Sequence, residues 1–122
     1  MLNEEKTWKI DERTFEFALI IIDLYKYLTT NMKEYVMSKQ VLRSGTSIGA
    51  NTHEAQAAQT KKDFITKMAI ASKETRETNY WLRLLDKAGF LKEFEKRDFI
   101  LRESKEITNI LAKIVKTAQK NV

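Results

Sequence analysis

The sequence predicts an all-α chain folded as an antiparallel, up-down-up-down four-helix bundle, and three observations carry that expectation. There is no proline, and there are only three glycines in 122 residues, so the residues that break helices are almost missing. Apolar residues recur at steps of three and four over four long stretches, the period of helices that bury one stripe. The connections between those stretches are short, which makes consecutive helices antiparallel neighbours. The length suits one domain, residues 1–122, able to bury a core without metal or disulfide staples.

The first helix is expected from about Asp11 to Thr30. Phe15, Leu19, Ile22 and Lys26 share one stripe, while Phe17, Ile20, Ile21, Leu24 and Leu28 cover much of the rest. A helix apolar over so wide an arc needs cover beyond its own core, because soluble monomers rarely leave a large apolar patch in water. A homo-oligomer is therefore expected. The second helix, about Lys33 to Ala57, carries the small-residue run Ser44-Gly45-Thr46-Ser47-Ile48-Gly49-Ala50-Asn51. Gly45 and Gly49 share a face and each costs a helix ~1 kcal/mol relative to alanine, so a close helix approach is expected there.

The third helix opens at Thr60, whose hydroxyl is placed to accept a first-turn amide, with Asp63 favouring the positive helix end. It runs to Ala88, with Ile65, Met68, Ser72, Thr75, Asn79 and Leu82 in one stripe, and Gly89 supplies the stop. The fourth, about Glu95 to Lys120, repeats Ile100, Ser104, Ile107, Leu111, Ile114 and Ala118, a left-handed bundle seam.

Several functional classes fall away on composition. No cysteine is present, which excludes disulfides, thiolate metal sites and cysteine nucleophiles. His53 is the single histidine, so no multi-histidine zinc site and no di-iron Glu-x-x-His pair can be built. No Lys-Ser/Thr follows Gly49, so the small-residue run is not a phosphate loop. No cofactor, metal or small-molecule substrate is expected. The opening MLNEEKTWKIDE lacks the basic and apolar stretches of a signal peptide, and the longest apolar run, Ala18 to Ile22, is far below the roughly 20 residues of a membrane span. A soluble cytoplasmic protein without a membrane partner is expected.

Arg43, Ser47, Asn51 and Glu54 fall within about one quadrant of the second helix, at ~100° per residue. Glu74 and Glu77 flank Arg76 on the third. The expected arrangement is a structural polar network of Arg43, Asn51, Glu54, Glu74 and Glu77, with Arg43 largely buried and bonded to Glu54, Glu74 or Glu77. The enzymatic alternative makes paired carboxylates an acid/base couple. No nucleophile, metal set or phosphate loop accompanies it, so a non-enzyme is expected.

The 22 Lys and Arg against 17 Asp and Glu give +5, unevenly spread. Residues 1–30 hold four basic and six acidic groups, whereas residues 61–88 hold seven and four and residues 89–122 eight and five. A basic half is a footprint for a polyanion such as RNA or DNA. The candidate nucleic-acid-binding residues are Lys61, Lys62, Lys67, Arg97, Lys105, Lys113 and Lys116, although Asp98, Glu103 and Glu106 interrupt the track. Trp8 and Tyr35 are the aromatics expected to be exposed. The alternative is a protein-interaction scaffold without nucleic-acid affinity.

Two stretches resemble a known family: Gln40-Val41-Leu42-Arg43-Ser44-Gly45-Thr46-Ser47-Ile48-Gly49-Ala50-Asn51 through Glu54, and Lys61-Lys62-Asp63-Phe64 through Ile70-Ala71, Glu74, Glu77 and Tyr80-Trp81-Leu82. They are similar to the "four helix bundle protein" family, the intervening-sequence proteins of large-subunit ribosomal RNA. Its pattern is Arg-Ser-x-x-Ser-Ile-x-x-Asn-Ile-x-Glu-Gly followed by Ser/Thr-Lys-Lys-Asp-Phe. Thr52, His53 and Ala55 depart from it, where the family usually has Ile, Ala and Gly. The resemblance implies a small bacterial protein without known catalysis, and Arg43, Asn51, Glu54, Glu74 and Glu77 match its motif positions. The family is also similar to the accessory variability determinant of diversity-generating retroelements, a ring-shaped basic bundle. From that likeness come two further expectations, a pentamer and a reverse transcriptase as partner.

Overall fold

Four helices form, α1 (Glu4–Thr30), α2 (Met37–Gln56), α3 (Lys61–Lys87) and α4 (Arg97–Lys120). They are seen in a computed structural model that describes residues 4–121 and, of their side chains, those from Lys9 onward. The ends of α3 lie where its capping residues put them. Thr60 is extended (φ −131°, ψ 157°), and its hydroxyl accepts the backbone N–H of Asp63 at 3.0 Å. Gly89 adopts φ +90°, a left-handed conformation that glycine takes without strain, and closes the helix. Replacing Thr60 with alanine removes that acceptor and is expected to cost about 1 kcal/mol, roughly 4 °C in melting temperature. Thr60→Ser should restore it in a thermal melt.

The other boundaries differ from expectation for local reasons. Helix α1 starts at Glu4, seven residues ahead of Asp11, because nothing in that stretch breaks a helix and Ile10 extends the buried stripe. Helix α2 starts at Met37, four residues after Lys33, whose φ of +55° is not helical. The Glu34 carboxylate accepts the backbone N–H groups of Val36, Met37 and Ser38 at 3.1, 3.0 and 2.7 Å, satisfying first-turn donors that would otherwise be orphaned. Helix α4 starts at Arg97 because residues 89–96 are held in turns over buried Leu91 and Phe94.

Helix α1 packs on α2 and α4, and α3 packs on the same two, while the backbones of α1 and α3 do not meet among the described residues. They are the diagonal pair of a four-cornered bundle. The α4 seam, Ile100 through Ala118, is buried as a whole. Directions follow from the side chains. Thr14 bonds Thr52 at 2.8 Å and Ile21 packs on Gly45, so α1 and α2 run in opposite senses. Asn79 meets Ser104 and Asp86 meets Arg97, which makes α3 and α4 antiparallel as well.

The two glycines of α2 mark a close approach. A Cβ on Gly45 would lie 2.7 Å from Ile21 Cγ1, and one on Gly49 would lie 3.2 Å from the Thr14 carbonyl oxygen. Helix α1 divides its wide apolar arc between two surfaces. Phe17, Ile21, Leu24 and Leu28 are buried in the bundle, whereas Phe15 and Leu19 are 66% and 46% exposed.

Candidate nucleic-acid interface

The candidate cations do not form one track. Lys61 and Lys62 open α3, and the Lys61 Nζ donates to the Asn121 carbonyl at 3.3 Å, which brings the start of α3 beside the end of α4. Lys113, Lys116 and Lys120 are exposed on that last part of α4, and no acidic residue follows Glu106. Lys105 is exposed further back, and Lys67 is half-buried. Arg97 lies at the opposite end of the bundle. Its guanidinium donates to Asp86 at 2.8 Å and to Asp98 at 2.6 Å, and Asp86 foremost raises its pKa further. Its charge is matched locally, so the exposed candidates that form no ion pair are lysines at the α3 start and along α4.

Of the residues expected in a buried polar network, three meet and two do not. Arg43 donates to both Glu74, at 3.3 Å, and Glu77. The Trp81 indole N–H also donates to Glu77, at 3.1 Å. Arg43, and after it Trp81, hold the Glu77 carboxyl below its ordinary value. The pair therefore contributes at neutral pH and fades as acid protonates Glu77. The expected burial of Arg43 is incorrect, because its side chain is 49% exposed. Asn51 donates instead to the Ser47 carbonyl on its own helix, at 2.8 Å, and Glu54 is exposed. The physical reason is the helix period. Ser44, one residue on from Arg43, is the residue turned inward, and it bonds Thr78 at 2.9 Å.

Other part-buried polar contacts lie elsewhere. Arg13 donates to both oxygens of Glu103, at 2.7 Å each, and to Glu106 at 2.8 Å. These bonds, Glu103 foremost, strengthen its hold on its proton. Asn79 donates to Thr108 and accepts from Ser104, both at 2.6 Å. One signal was available in the sequence: Glu103 stands three residues after Ile100 and next to Ser104, at the edge of the α4 seam. Tyr35 is exposed as expected, and Phe15, Tyr80 and Phe99 are exposed as well. Trp8 lies outside the described side chains.

Among the described residues, no three His, Asp or Glu side chains gather as a metal site, and no helix is long and apolar enough to cross a membrane. A groove of about 1060 Å³ runs along the outer side of α1 and α2, between Phe15, Leu19 and Ile22 on one wall and Thr46, Gly49 and Ala50 on the other.

No curated protein matches the chain. A crystal structure of a protein with unknown function from the S23 ribosomal protein family of Bacteroides thetaiotaomicron VPI-5482 is similar to it. The two are 48% identical, with a TM-score of 0.84 over 91% of this chain and 98% of that one. Residues 6–113 match the profile of the 23S rRNA-intervening sequence proteins. Both likenesses span all four helices, and the chain belongs to the 23S rRNA-intervening sequence protein family.

Proposed function

We propose that this protein is a non-catalytic, homo-oligomeric module of the cytoplasm that holds RNA or DNA, bare or in a nucleoprotein, by charge and not by sequence. The observation that carries the reading is the cluster of Lys61, Lys62, Lys113, Lys116 and Lys120 at one end of α3 and α4, five lysines against the one carboxylate of Asp63, with Lys105 further back on α4. A single chain's +5 is a weak attraction. Copies arranged in a ring, five of them by family resemblance, would present the cluster repeatedly and gain avidity without a new type of contact. A reverse transcriptase bound to its nucleic acid is a partner of this class.

Phosphate contacts release counterions, so affinity falls as salt rises. Titrating labelled single-stranded RNA at several salt concentrations should give a log–log slope that lessens by ~0.7 for each contacting lysine removed. Lys113→Ala and Lys116→Ala should each show that loss, equally across unrelated RNA sequences. Arg97→Ala should leave the slope unchanged, because Asp86 and Asp98 already neutralise it. Absence of binding at low salt would overturn the reading in favour of a protein-interaction scaffold, which the apolar groove of α1 and α2 favours.

A further inference from the structure

Two exposed apolar faces of this bundle carry opposite charge. The α1–α2 groove is walled by Phe15 and Leu19 and rimmed by Glu12, Glu16 and Glu54. These three carboxylates form no ion pair among the described residues. Of the basic groups lining the groove, Arg13 is held by Glu103 and Glu106, His53 meets Asp11 at 3.4 Å, and Lys9 is not free either. On α3 the exposed Tyr80 and Leu84 stand in line with Lys73, Arg76 and Arg83, at steps of three and four. Arg76 and Arg83 form no ion pair among the described residues, the charge of Lys73 acts on Glu77, and Glu74 and Glu77 are both held by Arg43.

The faces also match in position and size. Glu103 and Ser104 are neighbours on α4, and they bond Arg13 on one side and Asn79 on the other. Residues 12–16 of α1 and 79–83 of α3 therefore stand at the same height along the bundle. Because α1 and α3 are diagonal, the two faces look outward on different sides. From Arg76 to Leu84 is about 12 Å of helix, and from Glu12 to Leu19 about 10 Å, at ~1.5 Å per residue.

We infer that the two faces are halves of one contact between copies of this chain. The α3 ridge of one copy seats in the α1–α2 groove of the next, Tyr80 and Leu84 against Phe15 and Leu19, with Arg76 and Arg83 beside Glu12 and Glu16. The inference rests on the oligomeric part of the reading above and adds which surfaces meet. Symmetric alternatives are opposed by charge: groove on groove sets glutamates against glutamates, and α3 on α3 sets Arg76 and Arg83 against themselves. A head-to-tail contact repeats from copy to copy, as rings require. The outer side of α4 belongs to neither face, so Lys105, Lys113 and Lys116 remain accessible in the assembly.

Charge exchange tests this. One variant carries Glu12→Arg and Glu16→Arg, a second carries Arg76→Glu and Arg83→Glu, and a third carries all four. All four positions are exposed, and circular dichroism checks that each variant keeps its helices. Light scattering at micromolar concentration should show the parent as an oligomer and both two-site variants at the mass of one chain, 14.3 kDa. The four-site variant should regain the parental mass, because every contact again sets base on acid. Phe15→Ser, which moves no charge, should also lower the mass, and it stands in should an exchange variant lose its helices. An oligomeric parent whose mass neither two-site exchange lowers, or a folded four-site variant that stays monomeric, would overturn the face assignment alone. A monomeric parent would overturn the oligomeric reading with it.

Discussion

Replacing Arg13 with alanine is expected to destabilise the bundle by about 2–4 kcal/mol, several times the cost of the same change at Arg43. Both arginines bridge two carboxylates, and what separates them is solvent. Glu103 is nearly buried, its side chain 11% exposed, and it takes both its hydrogen bonds from a guanidinium that is 34% exposed. Without Arg13 it must hold a charge in a poorly solvated place or take up a proton. Breaking a buried pair in that way typically costs about 3–5 kcal/mol, and the partial exposure of Arg13 lowers the expectation. Arg43 is 49% exposed, and Glu77 is 36% exposed, so water compensates much of what is lost and about 1 kcal/mol or less is expected. Urea unfolding of both variants decides it, compared by midpoint at constant slope. Equal costs would show that water reaches Glu103 once Arg13 is gone.

The contrast between these arginines marks what the sequence could and could not disclose. Helix α4 was legible almost to the residue, because its apolar positions form one narrow stripe, and α3 because Thr60 and Gly89 punctuate it. The start of α2 was not. Its first-turn amides are satisfied by Glu34, which is not a common cap and acts from three residues ahead of Met37. Within α2, Arg43 and Ser44 are adjacent, and only the rotation of the helix against α3 decides which points inward. Periodicity gives the stripe but leaves such an edge position undetermined. Among the candidate lysines, exposure followed from charge at all but Lys67, which is half-buried. The neutralisation of Arg97 did not, because Asp86 reaches it across the turns of residues 89–96. The two faces of α1 were announced by its apolar arc, but the sequence alone did not separate buried Phe17 from exposed Phe15.

Removing the Ile21 side chain is expected to cost about 2–5 kcal/mol as Ile21→Ala, because it is fully buried and leaves a cavity between α1 and α2. Gly45→Ala has two opposed effects: a gain of about 1 kcal/mol in helix propensity, and overpacking that typically costs about 1–3 kcal/mol. Here the clash should prevail. The new methyl would stand 2.7 to 2.9 Å from three Ile21 carbons, and a β-branched side chain in a full core has little freedom to turn aside. The double variant should then be more stable than the sum of the single changes by at least 1 kcal/mol, since the alanine methyl at position 45 enters the space that Ile21 vacates. Gly49→Ala supplies the control. Its methyl meets the Thr14 carbonyl, about two turns away from position 21, so its cost should add to that of Ile21→Ala without coupling. Strict additivity in the Gly45 and Ile21 pair would mean that α1 slides to absorb the methyl. In that case the two glycines would set the distance between the helices without fixing which residue of α1 lies against them.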